Sequence, residues 1–115
     1  MWLFAMIVAP ALADPPQSPE IAAAQTEASR LGGVWMQCLD DAIGGADRAV
    51  RPDAAADAAI ARCDPQQQQF LAASDRFFTL GLSGPKLERM KAQSRKQVAG
   101  VRKQLIAMVR ADRRD

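Results

Sequence analysis

Two cysteines, Cys38 and Cys63, are the only ones in the chain, and they sit in two helix-like stretches separated by Gly44-Gly45 and Pro52. Paired, they close a loop of roughly 25 residues, which removes about 3.5 kcal/mol of chain entropy from the unfolded state. Such a clip matters because the core is thin. Beyond the first dozen residues the aromatic side chains are Trp35, Phe70, Phe77 and Phe78, and much of the remaining apolar content is alanine, which buries little area per residue. Small cores of this kind are commonly held by a covalent bridge. In a reducing compartment the same residues would be two buried thiols, so the compartment decides the reading.

The N-terminus speaks to that compartment. Met1 to Ala13 is an apolar run without a charged side chain, and it ends in Ala11-Leu12-Ala13, the small residues that precede a signal-peptidase cut. Cleavage is expected after Ala13, leaving the protein exported, periplasmic or secreted. The run is well short of the ~20 residues that span a bilayer, and no cysteine follows the cut to carry a lipid anchor. No Lys or Arg precedes the run, so its positive end is the α-amino group or lies upstream of Met1. Export implies an oxidising environment and a Cys38–Cys63 disulfide. Residues 14–18, with two consecutive prolines, read as an extended leader.

Helical spacing accounts for residues 19–111. Ser18 and Pro19 are a cap and a first helical residue, and Ile21, Ala24, Ala28, Leu31, Trp35, Cys38 and Ala42 recur at steps of three and four. A first helix over about 19–43 follows, stopped by Gly44-Gly45 and weakened inside by Gly32-Gly33. A second helix begins at Pro52 and carries Ile60, Cys63, Phe70 and Phe77 on one face, with a kink at Asp64 or a fresh start there, Asp64 capping and Pro65 first. Leu80-Gly81-Leu82-Ser83-Gly84-Pro85 breaks the chain, and a third helix over about 85–110 buries Leu87, Met90, Val98, Val101, Leu105 and Met108. Residues 112–115 read as a frayed tail. No strand-like alternation is present, so the expected fold is a single all-α domain: an antiparallel three-helix arrangement, a hairpin clipped by one disulfide plus a long basic amphipathic helix.

Charge is split along the chain. Residues 14–75 hold ten acids and four bases, whereas residues 76–115 hold eleven bases and three acids. Acids of the first hairpin are expected to neutralise Lys91, Arg95 and Arg102, which flank the buried stripe of the third helix. Arg89, Lys96, Lys103 and Arg110 fall on the opposite side of that helix, a face suited to lipid headgroups, lipopolysaccharide or an acidic protein. No aromatic residues interleave with these bases, which disfavours single-stranded nucleic acid.

Several chemistries can be set aside. The chain has no histidine, tyrosine or asparagine, so neither a Ser/His/Asp nor a Cys/His arrangement can form, and two cysteines alone do not make a typical zinc site. Asp40-Asp41 point about 100° apart on a helix, and Asp53 and Asp57 sit in the first turns of theirs, where acids complement the helix dipole. Neither glycine pair precedes a Lys-Ser/Thr phosphate loop. No catalytic residue, cofactor or metal is expected. Trp35 reads as core against the disulfide before it reads as an exposed recognition residue, and Met90 and Met108 as core gap-fillers.

The run Trp35-x-x-Cys38 followed by the alanine-rich stretch from Ala54 to Cys63 resembles short exported proteobacterial proteins that share a two-cysteine helical hairpin, over roughly residues 31–70. That resemblance implies location and architecture. A looser similarity is to small periplasmic helical chaperones and stress sensors, whose Leu-Thr-x-x-Gln motif has as its nearest counterpart Leu82-Ser83-Gly84-Pro85-Lys86, with Lys in place of Gln. The sequence thus points to a non-enzymatic envelope protein that works by helix-surface contacts with another protein. The alternative is a peripheral binder of anionic surfaces through Arg89, Lys96, Lys103 and Arg110. A homodimer would use any apolar surface that the thin core leaves exposed.

Overall fold

The computed structural model of the chain describes residues 18–114. The expected signal segment and its expected cleavage after Ala13, the expected leader as far as Gln17, and Asp115 lie outside the described residues. Among those described the fold is all-α, in five helical segments: α1 (Pro19–Gly44), α2 (Pro52–Arg62), α3 (Asp64–Gly81), α4 (Gly84–Ala99) and α5 (Val101–Arg113). None of them is long and apolar enough to cross a membrane.

α1 begins and ends where its residues dictate. Ser18 Oγ accepts from the Ile21 N–H at 3.1 Å with Pro19 in the first turn, and at the far end the Gly45 N–H donates to the Asp41 carbonyl at 3.1 Å. The chain then returns antiparallel, and the Cys38–Cys63 disulfide ties the C-terminal third of α1 to the junction of α2 and α3 (Cα–Cα 5.9 Å).

The second and third expected helices are each divided. At Cys63 (φ −98°, ψ 14°) the path turns because Pro65 has no N–H to donate one turn back and its ring crowds the carbonyl there. Hydrogen bonds nonetheless continue across the break, from the Cys63 N–H to the Ala59 carbonyl and from the Gln67 N–H to the Cys63 carbonyl, both at 3.0 Å. The fresh start at Asp64 is therefore what forms, with Asp64 already inside α3 and making no capping bond through its side chain. The division at Gly100 was not expected. There the weakest helix former but proline keeps right-handed dihedrals (φ −74°, ψ −10°), and its N–H splits between the Lys96 and Gln97 carbonyls at 3.1 and 3.2 Å. α4 itself starts one residue early, at Gly84, whose φ of +62° is open to glycine alone without strain and turns the chain sharply into Pro85.

α3 packs along α1, α4 against α3, and α5 against α2. The buried cluster runs through all of them: Trp35 and Leu39 from α1, Ala56 and Ala59 from α2, Cys63, Leu71 from α3, and Val98, Val101 and Leu105 from the last two segments. Trp35 is 5% exposed and stacks on Phe70 with ring centroids 5.6 Å apart and planes 17° from parallel. Gly32 makes room for that ring: a Cβ there would meet Phe70 Cε1 at 3.0 Å.

Two expectations about the core change register. Leu39, absent from the expected α1 stripe, is only 1% exposed, while the outermost member of the expected third stripe, Met108, is 43% exposed and Val109 is buried in its place. The frayed tail also begins later than residue 112. Arg113 closes α5, and its guanidinium donates to the Val50 carbonyl and, at 3.0 Å, to that of Asp47, clasping the α1–α2 connection.

Candidate functional site

The bases of α4 and α5 fall into two sets. Arg95 and Arg102 flank the buried stripe and reach the second helical stretch. Arg95 donates to both carboxylate oxygens of Asp75 at 2.9 and 2.7 Å, and Arg102 donates to both of Asp57 at 2.6 and 3.2 Å. These two-pronged pairs are the neutralisation expected from the charge split. Lys91 departs from that expectation, since its ion pair at 4.0 Å is with Glu88 of its own helix.

Both carboxylates respond. Asp75 is held below the usual carboxylate range chiefly by its hydrogen bond from Arg95, against the opposing effect of partial burial, and Asp57 is held low chiefly by its hydrogen bond from Arg102. A depressed folded-state value means that the stabilisation is present above the ordinary carboxylate range and disappears as pH falls through the lower folded value. Asp75→Asn should therefore cost a modest ~0.2–1 kcal/mol at neutral pH, since Arg95 is half exposed, and should flatten the loss of thermal stability below about pH 4. Melting curves from pH 7 to pH 2 check this; parallel profiles for the variant and the parent protein would show the pair to be energetically silent.

The second set is Arg89, Lys96, Lys103 and Arg110. All four are exposed, and among the described residues none takes part in an ion pair. They recur every seven residues, so an uninterrupted helix would carry them along one side over about 30 Å. Gly100 falls between Lys96 and Lys103, and its right-handed dihedrals keep both halves of the stripe turned away from the buried Val98, Val101 and Leu105. The result is an outward row of four uncompensated charges beside an inward pair that is neutralised.

The other residues singled out from the sequence have structural roles. Asp57 is occupied by Arg102, Asp53 accepts from the Ala54 N–H at 2.9 Å, and Asp41 accepts from the Gln37 side chain at 2.9 Å. Trp35 is core, as its position on the stripe implied. Two grooves escaped the sequence reading. One, of about 460 Å³, runs between α1 and the α4–α5 junction over Trp35, Met36, Phe70, Val98 and Val101. The other, of about 290 Å³, lies at the opposite end of the hairpin, against Ile21, Phe77, Phe78, Leu82 and Met90. The first is assembled from three stretches far apart in sequence and the second joins Ile21 to residues 77–90, so no local pattern announces either.

No family model matches the chain, no curated protein matches it, and no solved structure matches it. The functional reading therefore rests on these surfaces alone.

Proposed function

We propose that this chain is a non-enzymatic helical binding protein of an exported compartment, and that it docks on an anionic envelope surface through the outer side of α4 and α5. The observation that carries the reading is the sorting of bases. Arg95 and Arg102 are matched to Asp75 and Asp57, whereas Arg89, Lys96, Lys103 and Arg110 face solvent and take part in no ion pair among the described residues. A disulfide between Cys38 and Cys63 supports the oxidising compartment that export would provide. The absence of histidine and tyrosine from the sequence supports binding over catalysis.

Each base near an anionic lipid surface contributes about 1 kcal/mol, so four contribute about 4 kcal/mol, equivalent to a Kd near 1 mM. Replacing all four with Gln should abolish sedimentation with vesicles containing phosphatidylglycerol, and should remove the fall in binding of the parent protein between about 50 and 500 mM salt. Unchanged sedimentation of the quadruple variant would dispose of the proposal.

A second reading, contact with a partner protein, is favoured by the groove over Trp35 and Phe70, where α1 and the α4–α5 junction leave apolar surface uncovered. Crosslinking in the envelope followed by mass spectrometry should then trap one partner at near-stoichiometric yield; recovery of monomer alone would count against it.

A further inference from the structure

The groove at the α3–α4 end has a composition unlike the rest of the surface. Its wall is built from Ile21 of α1, Phe77, Phe78 and Gly81 in the last two turns of α3, Leu82 in the connecting turn, and Met90 of α4, with no polar side chain among them. Ile21, Phe77, Phe78, Leu82 and Met90 are all only partly buried, so the domain leaves this concavity unfilled. Phe77 and Phe78 are set 5.7 Å apart at a 47° tilt, and both contribute to the wall.

Charge surrounds this apolar end in a particular way. Lys86 precedes Met90 by four residues and so lies on the same side of α4, one turn nearer the tip. Arg89, the first base of the outward row, adjoins Met90 in sequence but points about 100° away from it, so it borders the groove only from the outer side of α4. Both are exposed, and neither takes part in an ion pair among the described residues. Of the acids nearby, Glu88 is matched by Lys91 and Asp75 by Arg95, while Glu20, beside Ile21, is exposed and takes part in no ion pair among the described residues. On the α4 side, an apolar cleft with the unmatched cations Lys86 and Arg89 near it fits a molecule with a hydrocarbon chain and an anionic head.

We propose that this end of the molecule is a bilayer anchor: an acyl chain of an anionic phospholipid enters the groove between Phe78, Leu82 and Met90, and Lys86 and Arg89 meet its phosphate. The proposal rests on the reading of α4 and α5 as an anionic-surface binder. It adds the apolar contribution that four electrostatic contacts, worth only a millimolar affinity, lack. It also sets an orientation, with the α3–α4 turn toward the hydrocarbon and the row of bases on the headgroups.

The test uses the disulfide-intact protein, vesicles of phosphatidylglycerol and phosphatidylcholine, and phosphocellulose, a support that carries phosphate without acyl chains. Leu82→Asp lies in the turn outside any helix and is compared with Leu82→Met. The expected result is at least a tenfold weaker affinity of Leu82→Asp for vesicles with unchanged retention on phosphocellulose, while Leu82→Met keeps both. In a separate protein, Leu82→Trp should show emission quenched by brominated acyl chains beyond that of the parent protein. Equal vesicle binding by Leu82→Asp and the parent, or no added quenching in Leu82→Trp that sediments with vesicles, would overturn the anchor and leave the basic row standing. Failure of the parent protein to bind either vesicles or phosphocellulose at low salt would overturn both.

Discussion

Replacing Cys38 and Cys63 together with alanine should lower the unfolding free energy by about 3.5 kcal/mol, the chain entropy released when the loop is opened. For a domain of this size, total stability is about 5–15 kcal/mol, so the loss takes a large share of it. Alanine is the appropriate replacement because Cys63 has no solvent exposure and a serine hydroxyl there would be buried without a guaranteed partner. Urea unfolding of the parent protein with and without reductant, beside that of the double variant, should give two superimposable destabilised curves and one displaced to higher urea. A change below about 1 kcal/mol would mean that the stack of Trp35 on Phe70 and the alanine seam of α2 hold the hairpin unaided.

Leu39→Ala should cost about 2–5 kcal/mol, whereas Met108→Ala should stay within about 0.5 kcal/mol of the parent protein. Both residues are large and apolar on amphipathic helices, but Leu39 is 1% exposed inside the shared cluster and Met108 is 43% exposed. Removing the Leu39 side chain opens a cavity lined by elements that the disulfide prevents from closing over it. Thermal melts of the two variants check the pair directly. Comparable losses would show that the last turns of α5 are turned further inward than Val109 indicates.

Much of the architecture could be read from local signals. Ser18-Pro19, Gly44-Gly45, Pro52 and Gly84-Pro85 fix where helices start and stop, because each acts through its own backbone. The partnership of Cys38 with Cys63 could be read because the chain offers no other pairing. What failed was phase. A stripe drawn at steps of three and four tolerates an error of one residue, and Leu39 and Val109 are each one residue from an expected stripe member, Cys38 and Met108. The division at Gly100 was missed since glycine inside a helix is tolerated more often than not, and only packing of α4 on α3 and α5 on α2 makes the two halves separate. The inward Arg95 and Arg102 and the outward row were legible as opposite sides of one helix. Their acid partners needed the third dimension: Asp57 had the spacing of an ordinary helix-start acid, and Asp75 carried no signal at all.

The place of the disulfide has a mechanical consequence. It joins the C-terminal third of α1 to a residue between helices, so a pull applied at the two ends of the domain passes through the sulfur bridge and bypasses everything from Leu39 to Arg62. About 80 Å of contour length is thereby withheld from extension until the bridge is reduced. α2 and its connection to α1 carry no load along their own backbone, and tension from the C-terminal side reaches them through the packing of α5 on α2 and the side-chain clasps of Arg102 and Arg113. Stretched, the chain would shed α4 and α5 first and keep a covalently closed half-hairpin as its last folded unit.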